Sequence, residues 1–341
     1  MRINLNDELG LKTYALVEHK NTLIFSDFLS NGIFVYDLSE KKTELIKTFK
    51  TKLMWNNYWE AYTYKDEIWF IPFRLEERIA IYNITEKRIS YMDIPPSIRK
   101  CEFRPFSECY IEDGNMYMVP SSYDSLLKVE IESRKIFKID MGLNKFADDG
   151  FAISLGSSKV EKKIYLCPWN NSELLCFDML TQTVETIYDK LKIKTYMHIL
   201  SNDSILYLIP QRIKDGILQI DTDTREVKIN KFTQIEKIED VLYSTAFIVN
   251  SNIYMFSNNS ELGVKIDINT MKKEIIYICY KNEQKITGWY RSRSTSFGEI
   301  VIPSELDSPM LLVNEEGIHQ LSLRPEKDYF MKVLRSQMGL D

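Results

Sequence analysis

The chain has 341 residues, of which 44% are hydrophobic and 12% aromatic, with a formal net charge of −5 and a pI near 5.5. Neither sign of charge dominates a long block, which argues against a nucleic-acid binder, since such proteins usually carry a basic stripe. No run approaches the roughly 18 apolar residues that a membrane helix needs, and the first residues lack the apolar core of a secretory signal. The five cysteines show no CxxC spacing, which favours reduced core thiols in a cytoplasmic protein.

The first element in chain order is a short strand-like segment, RINLN (Arg2–Asn6). It precedes the repeated part of the chain, so two interpretations are open. The segment either pairs with the last repeat and covers an exposed sheet edge, or forms a flexible end. We favour the pairing.

A strand motif that ends in proline or serine then recurs along nearly the whole chain, as in IWFIP, MYMVP and IYLCP. Its copies lie 42 to 48 residues apart and end at Ser26, Pro72, Pro120, Pro168, Pro210, Ser257 and Pro303. Ten or eleven residues after each end, a second apolar run finishes in a short polar residue or Glu, at Asp37, Asn83, Glu130, Asp178, Asp221, Asp267 and Asn314. An Asp or Asn at a strand end accepts hydrogen bonds from the amides of the following turn, so each copy predicts a hairpin leading to a further strand.

A period of this length, with four short strands in each copy, is typical of a β-propeller blade. Neighbouring blades bury both faces of each small sheet, which explains why strands such as LLCFD are apolar at consecutive positions. We therefore predict an all-β fold, a seven-bladed β-propeller with four antiparallel strands per blade, forming one domain over residues 1–325. The blades are expected to start near residues 14, 58, 106, 151, 196, 243 and 290.

The last segment, residues 326–341, has a different period. Tyr329 with Val333, Phe330 with Leu334, and Leu334 with Met338 are spaced four residues apart, which predicts a short C-terminal helix. This helix would pack on the outside of the repeats or dock a partner.

The segment IYLCPWNNSELLCFDMLTQTVETI (residues 164–187) resembles a kelch-type repeat, in which a strand is followed by a second apolar strand, an Asp, a Thr turn and a further strand. The resemblance extends over about nine tenths of the chain by way of the other copies. It departs from the kelch pattern at the double glycine, which Pro or Ser replaces here. The resemblance therefore implies the propeller fold and no particular activity.

Propellers bind ligands mainly at one end, through the loops between the second and third strands and the crossings between blades. In this chain, those segments contain four of the five tryptophans together with several arginines. Aromatic rings stack on a ligand while guanidinium and amide groups orient its polar atoms, so we predict a binding face there. Its candidate residues are Trp55, Trp59, Arg74, Arg104, Tyr123, Trp169, Asn170, Arg212, Trp289, Arg291 and Arg293. Taken singly, Trp59 and Trp289 are better read as core residues that fill the gaps between blades, whereas their clustering with the other candidates favours the binding role for the group.

Catalytic templates are mostly missing from the sequence, which contains no GxGxxG, GxxxxGK[ST], GxSxG or HExxH. One mixed set of two carboxylates, a histidine and two arginines falls at blade starts, where the blade phase places its members at the mouth of a central channel. This set consists of Glu60, Asp149, His198, Arg104 and Arg291. It is the candidate catalytic set if the protein is an enzyme.

Two functions follow from these observations. The first is a non-catalytic propeller that binds a protein, peptide or glycan through its aromatic and arginine-rich face. The alternative is a carbohydrate- or peptide-modifying enzyme, such as an isomerase, lyase or hydrolase, working from the channel mouth. For either function we expect a monomer with no cofactor, nucleic acid or membrane as a partner. We also expect no metal, because the three histidines are isolated and no metal-ligand spacing is present.

Overall fold

The computed structural model describes residues 1–5, 11, 13–27, 30–50, 58–75, 77–98, 104–143, 154–169, 171–192, 194–232, 241–280, 288–303 and 309–323. The strands within these residues form seven sheets, each with four antiparallel strands that are consecutive in the chain. This is the architecture of a seven-bladed β-propeller, as the repeat predicts. By its internal contacts the chain divides into two compact units, residues 1–94 with 277–341, and residues 95–276.

The first unit contains a short N-terminal strand and blades one, two and seven. The N-terminal strand is β1 (Arg2–Leu5). Blade one consists of β2 (Leu16–His19), β3 (Thr22–Ser26), β4 (Gly32–Asp37) and β5 (Lys42–Thr48). Blade two consists of β6 (Tyr58–Tyr64), β7 (Glu67–Pro72), β8 (Ile79–Asn83) and β9 (Arg88–Met92). Blade seven consists of β26 (Trp289–Thr295), β27 (Gly298–Pro303), β28 (Met310–Asn314) and β29 (Gly317–Leu321).

The second unit contains blades three, four and five and most of blade six. Blade three consists of β10 (Phe106–Glu112), β11 (Asn115–Pro120), β12 (Leu126–Glu130) and β13 (Lys135–Ile139). Blade four consists of β14 (Ser154–Val160), β15 (Lys163–Pro168), β16 (Leu174–Asp178) and β17 (Thr183–Tyr188). Blade five consists of β18 (Tyr196–Asn202), β19 (Ile205–Pro210), β20 (Ile217–Asp221) and β21 (Val227–Asn230). Blade six consists of β22 (Tyr243–Val249), β23 (Asn252–Ser257), β24 (Leu262–Asp267) and β25 (Lys273–Tyr280).

Helices are almost absent from the part of the chain that the structure describes. A 3-10 helix lies at Ile213–Asp215 in blade five, and no helix among the described residues is long and apolar enough to span a membrane. The predicted C-terminal helix at residues 326–341 lies outside the described residues and is therefore not confirmed.

The strand β1 corrects the prediction for the N-terminal segment. It pairs in parallel with residues 277–280 of β25, the last strand of blade six, and not with blade seven. The pairing adds a strand to the outer edge of β25, where backbone N–H and C=O groups would otherwise lack ladder partners. The four strands of blade seven form their own sheet.

Consecutive apolar residues in the second strands serve two different interfaces, as the sequence predicts. In β3, Ile24 packs with Phe70 and Ala80 of blade two, whereas Phe25 packs with Ile300 and Ile302 of blade seven. Successive side chains of a strand point to opposite faces of the sheet, so the residues of β3 face blade two and blade seven in alternation. The same division recurs in the second unit, where blades three, four, five and six bury apolar clusters between successive sheets.

The hairpin turns that follow the third strands confirm the role predicted for their Asp residues. Asp178 Oδ1 accepts the backbone N–H groups of Leu180 at 2.8 Å and Thr181 at 3.0 Å. These hydrogen bonds lower the pKa of Asp178, and the bond from the Thr181 N–H has the largest effect. Asp37, Asp221 and Asp267 accept amides in the equivalent turns.

Four of the five cysteines are buried as free thiols, and Cys101 lies outside the described residues. Burial raises the pKa of Cys167 to about 12 and that of Cys176 to about 11. Both thiols are therefore protonated at neutral pH and behave as small apolar side chains in the core.

Candidate functional site

A β-bulge opens the first strand of six blades. In blade two, Tyr58 is paired with Pro72 and Glu60 with Ile71, so the first strand carries one extra residue at this point. Five of the six second strands end in proline, which has no N–H to donate to the ladder. A bulge re-aims the side chains around it and often lies beside a functional site.

The position directly after the bulge unites most of the predicted catalytic residues. Glu60, His198 and Arg291 occupy it in blades two, five and seven. In blades three and six the same register position is Glu108 and Thr245. The sequence phase therefore identifies one structural position, although its occupants differ in chemistry from blade to blade.

In the first unit, Glu60 is the centre of a buried polar cluster that also contains Tyr62, Arg291 and Arg293. The Glu60 carboxylate is 0% exposed and forms ion pairs with the Nη2 atoms of both arginines. Its Oε2 also accepts the Tyr62 hydroxyl at 2.7 Å. Arg291 in addition donates Nη1–H to the carbonyl oxygen of Trp59 at 2.5 Å. This set of residues is called the Glu60 cluster below.

The strand pattern explains how the Glu60 cluster assembles. Glu60 and Tyr62 are two residues apart on β6, and Arg291 and Arg293 are two residues apart on β26, so each pair lies on one side of its strand. Blade one packs against both blade seven and blade two, and its residue just before β2 is Ala15, which is fully buried.

Charge in this cluster is balanced by a second carboxylate. Burial lowers the pKa of Arg293 to about 9, while the charge of Glu299 acts in the opposite direction. Glu299 also accepts the Ser294 hydroxyl. Arg293 therefore keeps its charge at neutral pH, as an ion pair with Glu60 requires.

The Glu60 carboxylate is consequently a poor general acid or base. A group that exchanges protons during catalysis must reach the substrate and titrate near the working pH. Glu60 is sealed from solvent and held as an anion by two guanidinium groups and a hydroxyl. The enzyme alternative gains nothing from this residue.

Three aromatic candidates for the binding face are core residues. Trp59 and Trp289 are each 1% exposed, and Tyr123 is 0% exposed. The Trp59 ring packs against Tyr14 and Phe73, and the Arg291 guanidinium lies 4.0 Å from its centroid. None of the three buried rings offers a face to a ligand, and for Trp59 and Trp289 this agrees with the core alternative. The extra residue of each bulge shifts the side-chain alternation and places Trp59 inside.

In the second unit, His198 and Arg104 each bond to a backbone carbonyl at a bulge. His198 Nε2 lies 2.7 Å from the carbonyl oxygen of Ser244, which it can contact only as a donor, so Nε2 carries the proton. Arg104 donates Nη2–H to the carbonyl oxygen of Leu155 at 3.1 Å. Bulges leave such carbonyls without ladder partners, and these side chains satisfy them. Both contacts are therefore explained by structure alone.

The remaining catalytic candidate, Asp149, lies outside the described residues, as do the binding candidates Trp55 and Asn170. Arg74 is half-buried, and its carbonyl accepts the N–H of Glu77 at 3.2 Å. The structure brings together two members of the catalytic set, Glu60 and Arg291. The convergence of the full set stays a prediction. No group of three or more His, Cys, Asp or Glu side chains among the described residues could hold a metal ion.

Two predicted binding residues remain accessible in the second unit, at the end of the blades where the second strands finish. Trp169 follows β15 and is half-buried, whereas Arg212 follows β19 and is exposed. The crossing between blades four and five joins their loops. In that crossing, Lys194 N–H donates to the Trp169 carbonyl at 3.0 Å, and the Thr195 carbonyl accepts the N–H of Gln211, next to Arg212, at 2.7 Å. The two residues therefore flank one crossing.

Ile98, an exposed residue that the sequence reasoning missed, lies in the crossing that leads into blade three. It is 82% exposed, although its own N–H is fixed by Asp124 Oδ2 at 2.7 Å. Tyr123 donates its hydroxyl to the Pro95 carbonyl at 2.6 Å, and Lys138 bridges Asp124 and the Pro96 carbonyl. We call residues 95–98 the blade-three strap. The double proline at 95–96 was the sequence signal for an extended segment here.

Asp124 is expected to hold this strap in place. Burial alone would raise the pKa of Asp124, but hydrogen bonds from Ile98, Ser125 and Lys138 outweigh it and lower the pKa. Replacing Asp124 with alanine removes these partners and should cost about 1–3 kcal/mol, read from urea unfolding, with faster hydrogen exchange at the Ile98 amide. Because the folded-state pKa is lowered, this contribution is present above the ordinary Asp pKa of about 3.9 and is lost as the pH falls through the lowered value.

Replacing the exposed Glu132 of the same blade with alanine is the matched control and should change stability by less than about 0.5 kcal/mol. Two results would show that Asp124 does not anchor the strap. One is an equal loss of unfolding free energy in both variants. The other is a stability difference between wild type and Asp124→Ala that does not shrink in acid.

No family model matches the chain, and no curated protein matches it. Solved structures do. A streptogramin B lyase superposes with a TM-score of 0.60 at 14% identity, over 88% of this chain and 93% of that one. A protein described as YCF48 bound to D1 peptide superposes with a TM-score of 0.63 at 8% identity, over 94% and 97%.

A third similar structure is the extracellular domain of a putative one-component system from B. thetaiotaomicron, with a TM-score of 0.61 at 11% identity. The match covers 90% of this chain and 39% of that protein. Identities this low show a shared propeller fold and carry no activity from one protein to another. The kelch resemblance is likewise supported at the level of the fold only.

Proposed function

We propose that this protein is a non-catalytic propeller that binds a peptide segment through the loops and crossings of blades three to five. The observation that carries the proposal is the placement of Trp169 and Arg212 on either side of one crossing, at the end of the blades where propeller loops present their ligand sites. An aromatic face beside a guanidinium group suits a peptide, because the ring contacts side chains while the cation orients carbonyl or carboxylate oxygens.

The loops that present this surface are held by backbone hydrogen bonds. The N–H groups of Ser121, Ser122 and Tyr123 all point to the Pro105 carbonyl, at 2.8 to 3.2 Å. In blade five, the 3-10 helix at Ile213–Asp215 fixes the loop that carries Arg212, and Ile213 is fully buried beneath it. A pre-organised loop loses little conformational entropy when a ligand binds, which favours affinity.

The chemistry of the described residues supports binding over catalysis. Glu60 is neutralised inside the Glu60 cluster, and His198 is engaged with the Ser244 carbonyl. The similar structure solved with a D1 peptide shows that this fold can accept a peptide in another protein. The enzyme alternative has only the lyase of the same fold in its favour.

Selection from a phage-displayed library of random 12-residue peptides tests the proposal. The purified chain should enrich recurrent peptide sequences, and the selected phage should bind the Trp169→Ala and Arg212→Ala variants at least tenfold more weakly. Matched controls lie in hairpin turns of the same blades, at the exposed Leu180 and Arg225. Leu180→Ala and Arg225→Ala should bind the selected phage as the wild type does.

Equal losses in all four variants would place the interaction elsewhere and overturn the proposed surface. A selection that enriches no sequence would overturn peptide binding itself. Unfolding of Arg212→Ala, Leu180→Ala and Arg225→Ala should remain within about 0.5 kcal/mol of the wild type, as expected for exposed positions. Trp169→Ala removes a half-buried ring and should cost about 1–2 kcal/mol.

A further inference from the structure

The surroundings of Trp169 carry more positive charge than the chain as a whole. The adjoining crossing and loop carry several exposed cations, among them Lys192, Lys194, Arg212 and Lys214. We call these four side chains and Trp169 the Trp169 patch. The chain as a whole has 44 Lys and Arg against 49 Asp and Glu, so this concentration runs against its acidic balance.

One carboxylate of the same loop faces the patch. Asp215 accepts Lys192 Nζ at 2.6 Å and is itself mostly covered. In residues 189–195 and 211–216 together, five Lys and Arg residues stand against Asp189 and Asp215, which leaves a local excess of three positive charges. The covered Asp215 is thereby neutralised, and the accessible side chains of the patch present positive charge to a ligand.

Local backbone geometry fixes the arrangement of these cations. Lys194 has a φ of 56°, a left-handed conformation that turns the crossing immediately before Thr195 leads into β18. Its N–H is bonded to the Trp169 carbonyl. The 3-10 turn fixes the backbone between Arg212 and Lys214. Its hydrogen bond runs from the Asp215 N–H to the Arg212 carbonyl at 3.0 Å. Their charges are thereby kept beside the same crossing.

We propose that the Trp169 patch selects acidic peptide segments, with an apolar side chain of the peptide lying on the Trp169 ring. This inference rests on the proposed peptide-binding function and adds the chemistry of the ligand. Carboxylates paired with exposed lysines and arginines contribute mainly to association rate and specificity, so the interaction should weaken as salt screens it. The half-buried indole supplies the part of the affinity that salt does not affect.

Two matched libraries of 12-residue peptides test the inference. In the first, every second residue is Asp or Glu and the other positions are random. In the second, Asn and Gln replace the acids. The immobilised full chain should retain at least tenfold more of the acidic library at about 50 mM salt, and this ratio should fall several-fold at about 300 mM.

Charge reversal locates the effect. The variant Lys194→Glu with Arg212→Glu should lose the preference for the acidic library, and Trp169→Ala should reduce retention of both libraries. The control variant, Arg225→Glu with Lys228→Glu, reverses two exposed charges away from the patch in the same blade and should keep the preference.

Equal retention of both libraries, with loss on Trp169→Ala, would overturn the acidic preference and leave peptide binding intact. Failure to retain either library would overturn the inference. Peptide binding itself is tested separately by the phage selection. Tighter retention of a 12-nucleotide oligothymidine than of the acidic library would overturn it in favour of a single-stranded nucleic acid, since aromatic and cationic groups also suit that ligand.

Discussion

Replacing Glu60 with alanine is expected to destabilise the protein by about 3–5 kcal/mol, the range for breaking a buried ion pair by removing one partner. Glu60 is fully buried and is the shared partner of Arg291 and Arg293, both on β26. Its removal leaves two guanidinium groups in the interior, with Glu299 as the carboxylate that still offsets the charge of Arg293. The free energy of unfolding, obtained from urea denaturation of the full chain, measures the effect.

Two further variants sharpen this test. Glu60→Gln keeps the shape and one acceptor but removes the charge, so its stability should lie between those of wild type and Glu60→Ala. Glu86→Ala removes an exposed carboxylate of the same blade, paired with Arg88 at 3.0 Å, and should cost less than about 1 kcal/mol. A loss for Glu60→Ala as small as that for Glu86→Ala would mean that the Glu60 cluster does not hold blade seven to blade two.

The blades could be predicted because their signal is local in sequence. A strand ending in proline or serine, followed ten residues later by an Asp turn, appears within each copy, and the turn bonds of Asp178 confirm this pattern. The consecutive apolar positions of β3 likewise predicted two buried faces, which Ile24 and Phe25 occupy. Such features depend on residues close together in the chain.

The candidate site was harder to predict because it depends on register and on distant partners. One extra residue at the bulge before Glu60 changes which side chains point inward, and Trp59 becomes core as a result. Arg291 and Glu60 are 231 residues apart, and neither belongs to a motif that names the other. The pairing of β1 with β25 rather than with blade seven was hidden for the same reason.

A close approach between two first strands of the second unit also escaped the sequence reasoning, and it underlies the second large effect. A Cβ atom on Gly156 of β14 would lie 2.6 Å from the carbonyl oxygen of Met197 and 2.9 Å from the Cα of His198, both backbone atoms of β18. Backbone atoms inside two packed sheets cannot move aside as a flexible side chain can. Gly156→Ala should therefore cost about 3 kcal/mol in the free energy of urea unfolding, at the upper end of overpacking effects.

Gly142→Ala is the matched control for Gly156→Ala. Gly142 has a φ of 64°, and no atom lies within 4 Å of the position that a Cβ would take, so alanine there meets backbone strain without a collision and should cost about 1 kcal/mol. Gly156→Ala should also alter the imidazole NMR signal of His198, because displacing β18 lengthens the 2.7 Å contact with the Ser244 carbonyl. If Gly156→Ala is no more costly than Gly142→Ala and the His198 signal is unchanged, the two strands do not need glycine to pack. The expected result instead identifies Gly156 as the residue that lets blades four and five approach closely enough to place the Trp169 and Arg212 loops beside one crossing.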